Sequence, residues 1–96
     1  MKLENKISHE IKEAMRAKDN VRLETLRSIK SGIILIKTKS SEKKDLTEND
    51  EINLLQKLVK QRRESANIFI SQKRNDLANS EEAQLKIIQE FLPKQM

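Results

Sequence analysis

The stretch KLVKQRRESANIF, residues 57–69, places four cations inside an apolar pattern that predicts a helix with one buried face. At about 100° of rotation per residue, the apolar side chains between residues 52 and 70 fall within about 60° of Leu55. The stripe consists of Ile52, Leu55, Leu58, Val59, Ala66, Phe69 and Ile70. A stripe of this length predicts one long amphipathic helix packed against a core.

Three of the four cations lie away from the centre of this stripe. Lys57 falls on the opposite side of the helix and Lys60 well outside the stripe, so both are expected at the surface. Arg63 falls at the edge, where its stem can cover apolar surface while the guanidinium stays hydrated. All three are therefore candidates for contact with an external partner.

Arg62 falls almost at the centre of the stripe. A buried guanidinium cannot lose its proton and is costly without a partner, so the pattern predicts an internal carboxylate. Glu81, on the apolar stripe of the next helix, is the first candidate, although the two are offset by about one and a half turns. Asp76 and Glu82 are the alternatives. With such an ion pair, Arg62→Ala should destabilise the fold by roughly 3–5 kcal/mol.

The rest of the chain predicts three further helices. Apolar residues recur at helical spacing, and one Gly and one Pro leave few interruptions. The expected helices span residues 2–18, 20–37, 48–72 and 76–92, with a polar, Ser- and Lys-rich loop at 38–47. Pro93 should end the last helix, because the residue before a proline disfavours the α conformation. We expect a single all-α domain, a four-helix bundle, over residues 1–96.

Polar residues at the expected helix starts indicate caps. Asp19 precedes the second helix and can accept a hydrogen bond from an unpaired backbone N–H. Thr47 and Asp50 have the spacing of a capping box, with Asp in place of the usual Glu or Gln. Asp76 is the expected cap of the fourth helix, and residues 79–80 are later alternatives.

The run GIILI, residues 32–36, stands out within the second helix. Gly32 costs roughly 1 kcal/mol relative to Ala inside a helix. Either a neighbouring helix approaches closely at this point, or the glycine has no special role. Ile34 and Leu35 lie on faces that the apolar stripe of this helix leaves open. Either this end of the helix is buried all round, or a partner helix or a second copy of the chain covers it.

The composition indicates a cytoplasmic protein. The chain contains no cysteine, which excludes disulfides, thiolate nucleophiles and zinc–thiolate sites. No segment approaches the ~18 apolar residues of a membrane span, and residues 1–20 contain no apolar run typical of a signal peptide. We therefore expect a cytoplasmic location and no membrane partner.

The positive charge is concentrated in the first half of the chain. Residues 1–46 hold 12 Lys or Arg against 7 acids, whereas residues 47–96 hold 8 against 8, so the whole excess of +5 lies before residue 47. Four cations follow one another without an acid between Thr25 and Ser41, namely Arg27, Lys30, Lys37 and Lys39. They form either a solvated helix face or, together with Lys57, Lys60 and Arg63, a surface that contacts RNA phosphates.

No arrangement typical of catalysis appears. The lone His9 is expected at the surface, and a single glycine rules out a glycine-rich phosphate loop. No catalytic residue, metal-ligand cluster or cofactor site is indicated. Stacking on single-stranded nucleic acid is also poorly supported, because Trp and Tyr are absent and Phe69 and Phe91 fit core positions. Recognition of folded RNA by shape and charge stays open.

Four stretches of the chain carry a recognisable combination of motifs: AMRAKDNVRLETLRSIKSGI (14–33), KQRRESANIF (60–69), RNDLANSEEAQL (74–85) and FLPKQM (91–96). They resemble stretches of the YqeY-like family, which is grouped with the tail region of the B subunit of the Asp-tRNA/Glu-tRNA amidotransferase. The resemblance implies an all-α fold with a four-helix unit followed by a smaller three-helix unit, of which this sequence corresponds to the first. Lys73 stands where the family usually has Gly, so Asn75 is expected to adopt the left-handed conformation at that turn instead.

The resemblance also implies a connection with carbon–nitrogen ligase activity that uses glutamine as amido-N-donor. These 96 residues supply neither a glutaminase nucleophile nor a nucleotide site, so the chain alone is expected not to hydrolyse glutamine or ATP. The first hypothesis is a non-catalytic accessory module that binds tRNA or a tRNA-handling enzyme. The alternative is a protein–protein adaptor that docks a partner helix, or a second copy, through residues 32–36. Direct ligase activity comes third.

Overall fold

The computed structural model describes residues 3–39 and 46–92, which form four helices and no strand. The helices are α1 (Leu3–Ala17), α2 (Asn20–Lys39), α3 (Glu48–Ser71) and α4 (Asn75–Gln89). The all-α four-helix fold is thus confirmed. α2 continues two residues beyond its predicted end and α4 stops three residues earlier than predicted. Residue 2, loop residues 40–45 and Pro93 lie outside the described residues, together with the predictions made for them.

Two of the predicted helix caps are confirmed. The Asp19 carboxylate accepts the backbone N–H of Arg22 at 3.1 Å. The Thr47 hydroxyl accepts the backbone N–H of Asp50 at 3.1 Å, and the Asp50 carboxylate accepts the Thr47 N–H at 3.1 Å. This reciprocal pair is a complete capping box. Both caps could be predicted because their partners lie within three residues along the chain.

The turn between α3 and α4 differs from its prediction. Lys73 itself adopts the left-handed conformation, with φ of 59°, and α4 begins at Asn75 without a side-chain cap. The N–H of Lys73 donates to the Ile70 carbonyl at 3.0 Å and that of Arg74 to the Phe69 carbonyl at 2.7 Å. These two bonds form a Schellman motif, which satisfies the last carbonyls of α3 even though a lysine holds the position that glycine normally prefers.

Asp76 therefore lies inside the first turn of α4 and is not its cap. Its carboxylate accepts a hydrogen bond from Arg74 Nε at 3.4 Å, and this bond is the main cause that lowers the pKa of Asp76 below its ordinary value of 3.8. Because the folded pKa is the lower one, the stabilising contribution of this carboxylate is complete above pH 3.8. It is lost as the pH falls through the folded pKa.

The core is built from one stripe on each helix. Its largest fully buried side chains are Ile7, Leu26, Ile29, Ile33, Leu55, Ile88 and Thr25. The Thr25 hydroxyl donates to the Val21 carbonyl at 2.8 Å, so this buried polar group is satisfied within α2.

Of the two alternatives for Gly32, the structure shows the close approach of a neighbouring helix. A Cβ atom at this position would lie 2.7 Å from Leu54 Cδ1, so glycine allows α2 and α3 to cross here. A larger residue would require the buried Leu54 side chain to move. The crossing point matters for function because the site described next lies to one side of it.

Candidate functional site

A groove runs between α2 and α3, from the Gly32–Leu54 crossing toward the N-terminal end of α2. It contains two adjoining cavities that share Glu24, Ser28, Gln61 and Arg62 as lining residues. We call the first, of about 750 Å³, the Leu58 cavity, and the second, of about 540 Å³, the Glu81 cavity. Together they form the α2–α3 groove.

The groove follows from the spacing of residues on two helices. Positions three or four apart share one side of a helix, so Glu24, Ser28 and Ser31 lie on the side of α2 that lines the groove. The facing strip of α3 is formed by Leu58, Gln61, Ser65 and Ile68. Half-buried Leu23 and Leu58 give the Leu58 cavity an apolar floor, whereas Glu64 and Glu81 make the Glu81 cavity acidic.

The predicted ion pair between Arg62 and Glu81 is wrong. Arg62 is half-buried, and its Nε donates to the Gln84 side-chain oxygen at 3.1 Å, with a longer contact of 3.5 Å from its guanidinium to the Leu58 carbonyl. Glu81 lines the same cavity but makes no hydrogen bond to Arg62. Arg62 is thus less buried than predicted, and the offset along the axis brings Gln84, three residues beyond Glu81, level with the guanidinium.

A neutral partner changes the expected cost of removing Arg62. Arg62→Ala should lower the free energy of unfolding by about 1 kcal/mol, because the amide left behind lies in a groove where water can replace the guanidinium. Urea unfolding of this variant, of Gln84→Ala and of the double variant would give the coupling directly. Lys60→Ala, at an exposed position of the same helix, is the control and should stay within about 0.5 kcal/mol. A loss above 3 kcal/mol for Arg62→Ala would mean that the guanidinium neutralises a buried carboxylate.

The seven cations predicted to contact RNA do not form one surface. Arg27, Lys39, Lys57, Lys60 and Arg63 are exposed, whereas Lys30 and Lys37 are half-buried. Lys37 forms an ion pair with Glu4 of α1. Lys39 follows Lys30 by nine residues, which places it about 180° away around α2. The run of cations without an intervening acid is therefore divided between two sides of the helix.

A structural cation was missed at the sequence level. The Arg22 guanidinium lies 3.1 Å from a carboxylate oxygen of Glu10 and 2.7 Å from one of Glu90, so it joins α1, α2 and the end of α4. The hydrogen bond to Glu90 is the largest cause that raises the pKa of Arg22 above its ordinary value. Arg22 lies seven residues before Ile29, on the buried side of α2. A helical wheel of α2, like the one used for Arg62, would have identified it as a cation on the apolar stripe.

The described residues show no further arrangement that indicates chemistry. His9 is exposed, as predicted. Within residues 3–39 and 46–92, no group of three or more potential ligating side chains could hold a metal ion. No helix in the same ranges has the length and apolar character needed to cross a membrane.

These features define a small all-α helical bundle with a polar groove between its second and third helices. Comparison with known proteins then assigns the family. A family model described as "Yqey-like protein" matches residues 4–96, and the chain belongs to this family.

Curated relatives include proteins named "Altered inheritance of mitochondria protein 41, mitochondrial". The one from Vanderwaltozyma polyspora is 38% identical over 89 residues, which cover 90% of this chain and 46% of the relative. That from Lachancea thermotolerans is 37% identical over 86 residues, covering 90% and 46%. That from Clavispora lusitaniae is 40% identical over 83 residues, covering 86% and 47%. The chain thus spans about half the length of these relatives.

The relatives correct the predicted location. Their names place them in mitochondria, so the expectation of a cytoplasmic protein is wrong on this comparison. The cytoplasmic prediction rested largely on the absence of cysteine, which is equally compatible with a mitochondrial protein and could not separate the two compartments.

Proposed function

We propose that this chain is a non-catalytic accessory module that binds folded RNA through backbone phosphates, in tRNA-dependent amidation or another part of tRNA metabolism. One observation carries the proposal. Six of the seven candidate cations form no ion pair with a carboxylate of the described residues. They are Arg27, Lys30, Lys39, Lys57, Lys60 and Arg63. Cations without an internal counter-charge are the ones that release counterions when they meet phosphates.

The strongest group among these cations lies on α3. Lys57, Lys60 and Arg63 are all exposed and follow one another at intervals of three residues. Lys57 and Lys60 lie outside the buried stripe around Leu55, and Arg63 lies at its edge. Arg27 is exposed on α2 at the rim of the Leu58 cavity. No exposed aromatic platform accompanies these cations in the described residues, which favours phosphate contact with a folded RNA over stacking on single strands.

The triple variant Lys57→Gln, Lys60→Gln and Arg63→Gln tests this surface. Its affinity for tRNA should fall about tenfold at low salt, and the log–log salt slope should become shallower by roughly 0.7–0.9 for each lost contact. Fluorescence anisotropy over a series of salt concentrations measures both quantities.

A matched control removes the same amount of charge elsewhere. The variant Lys12→Gln, Arg16→Gln and Arg74→Gln also loses three positive charges from exposed positions. It should bind tRNA nearly as well as the unchanged chain. Equal losses in the two triple variants would show that net charge alone attracts the RNA, and no loss in either would reject the α3 surface.

A second candidate function, a protein–protein adaptor, is favoured by exposed apolar side chains. Ile34 and Leu35 are 48% and 55% exposed. Within residues 32–36 they are the ones available to a partner, since Ile33 is buried and Gly32 packs against Leu54. Partner binding through these two side chains would be insensitive to salt, which distinguishes it from phosphate contact. Ligase chemistry with glutamine as donor is the third proposal and rests on the family resemblance alone.

A further inference from the structure

One side of α2 carries a strip that is complementary to itself. Glu24, Ser28, Ser31, Leu35 and Lys39 follow one another at intervals of three or four residues, so they share one side of the helix. The strip extends over about 22 Å at ~1.5 Å per residue. Ser28 is half-buried and the other four residues are exposed. The strip has an acid at one end, a base at the other, and small side chains near its middle.

We propose that two copies of this chain associate through this strip, with their α2 helices antiparallel and a two-fold axis close to Ser31. In this register Glu24 of each copy faces Lys39 of the other, and Ser28 faces Leu35. A two-fold interface requires such reciprocity, because any contact between one position and another occurs twice. Leu35 of each copy then enters the Leu58 cavity of the other, which Ser28 and Ser31 border.

The charges support a second copy as the occupant. Glu24 and Lys39 form no ion pair with any described residue of their own chain. Their opposite signs meet only when the two helices run antiparallel. In a parallel arrangement Glu24 would face Glu24 and Lys39 would face Lys39, which is repulsive. Charge complementarity therefore favours a second copy of the chain as the partner and an antiparallel orientation of the two α2 helices.

The cavity supports the same arrangement. The Leu58 cavity has a volume of about 750 Å³ and an apolar floor formed by Leu23 and Leu58. The small side chains of Ser28 and Ser31 at its edge leave room for an incoming side chain. Leu35 is 55% exposed and lies on the same strip, so the chain itself supplies an apolar group of suitable size. A single helical strip is small beside the roughly 800 Å² per partner of a stable complex, so we expect a reversible, concentration-dependent dimer.

This interface is independent of the RNA surface on α3. Lys57, Lys60 and Arg63 are exposed on α3, and none of them lines the Leu58 cavity or belongs to the strip on α2. Lys39, which was also a candidate RNA contact, is assigned here to the dimer. The triple variant of α3 should therefore leave self-association unchanged, so that either proposal can fail without the other.

Charge reversal tests the register. Sedimentation velocity over a range of protein concentrations should show that Glu24→Lys and Lys39→Glu each weaken dimerisation at least tenfold, because each creates two like-charge contacts. Mixing the two variants should restore the dimer to near its original affinity, since both contacts then join opposite charges. The double variant Glu24→Lys, Lys39→Glu should also dimerise by itself. Leu35→Lys should abolish association while the circular dichroism of the chain stays helical.

Two matched changes on α4 serve as controls. Glu82→Lys and Lys86→Glu alter exposed charges outside the strip and should leave the dimer affinity unchanged. The proposal is overturned if the chain stays monomeric at every concentration. It is equally overturned if mixing the two single variants fails to restore the dimer, or if the α4 changes weaken it as much as those on the strip.

Discussion

Replacing Ile88 with alanine is expected to lower the free energy of unfolding by about 4 kcal/mol. Ile88 is 0% exposed, and the only other buried residue among those described in α4 is the small Ala78. The isoleucine is thus the main apolar anchor of this helix. Its removal costs the transfer free energy of three carbon atoms and leaves a cavity that neighbouring helices can fill only in part.

Thermal and urea unfolding followed by circular dichroism would measure this loss. For a domain of this size it corresponds to a fall in Tm of roughly 15–30 °C. Ile68→Ala is the matched control, because Ile68 is 55% exposed, and its cost should stay below about 1 kcal/mol. Similar losses at the two positions would show that α4 does not pack against the core as described.

The second large effect is expected at Arg22. Arg22→Ala should destabilise the fold by about 2 kcal/mol, because it leaves two carboxylates without their counter-charge. One of them, Glu90, occupies the C-cap position of α4, where the helix dipole already disfavours negative charge. The side chain of Arg22 is 26% exposed, so solvent reduces the cost below that of a fully buried pair.

Arg16→Ala provides the comparison for Arg22→Ala. Arg16 pairs with Glu13 at 3.4 Å, but its side chain is 78% exposed, and its removal should change stability by less than about 0.5 kcal/mol. Adding Glu90→Gln to Arg22→Ala should recover part of the loss, since one uncompensated charge disappears. If Arg22→Ala unfolds at the same urea concentration as Arg16→Ala, the guanidinium does not hold α1, α2 and α4 together.

Much of the fold could be predicted from short-range patterns. The stripe around Leu55, the cap at Asp19 and the capping box of Thr47 and Asp50 all depend on residues within one or two helical turns. The cost of a glycine inside a helix indicated a close approach at Gly32 only as one of two alternatives, and the packing of α2 against α3 decided between them. The turn at Lys73 could not be predicted, because the left-handed conformation is unfavourable for lysine and is compensated here by the Schellman hydrogen bonds.

The candidate site depended on information that a single helix does not contain. A helical wheel places Arg62 on the inward side of α3. Its partner depends on the axial offset between α3 and α4, and the observed offset places Gln84, and not Glu81, within hydrogen-bond distance. The contacts of Arg22 with Glu10 and Glu90 could not be predicted for the same reason, since these residues lie 12 and 68 positions away along the chain. Angular position follows from helix geometry, whereas axial register follows from packing.

By itself, the sequence determined the number of helices, their inward faces and most of their ends, because these features arise from backbone hydrogen bonding and local apolar periodicity. Tertiary structure alone decided which cations form ion pairs among the described residues and which do not. It also decided that α2 and α3, touching at Gly32 and Leu54, diverge to form a groove. The physical reason is that charge pairing and cavity formation depend on distances between helices, which the crossing angles and axial offsets of the packed bundle set.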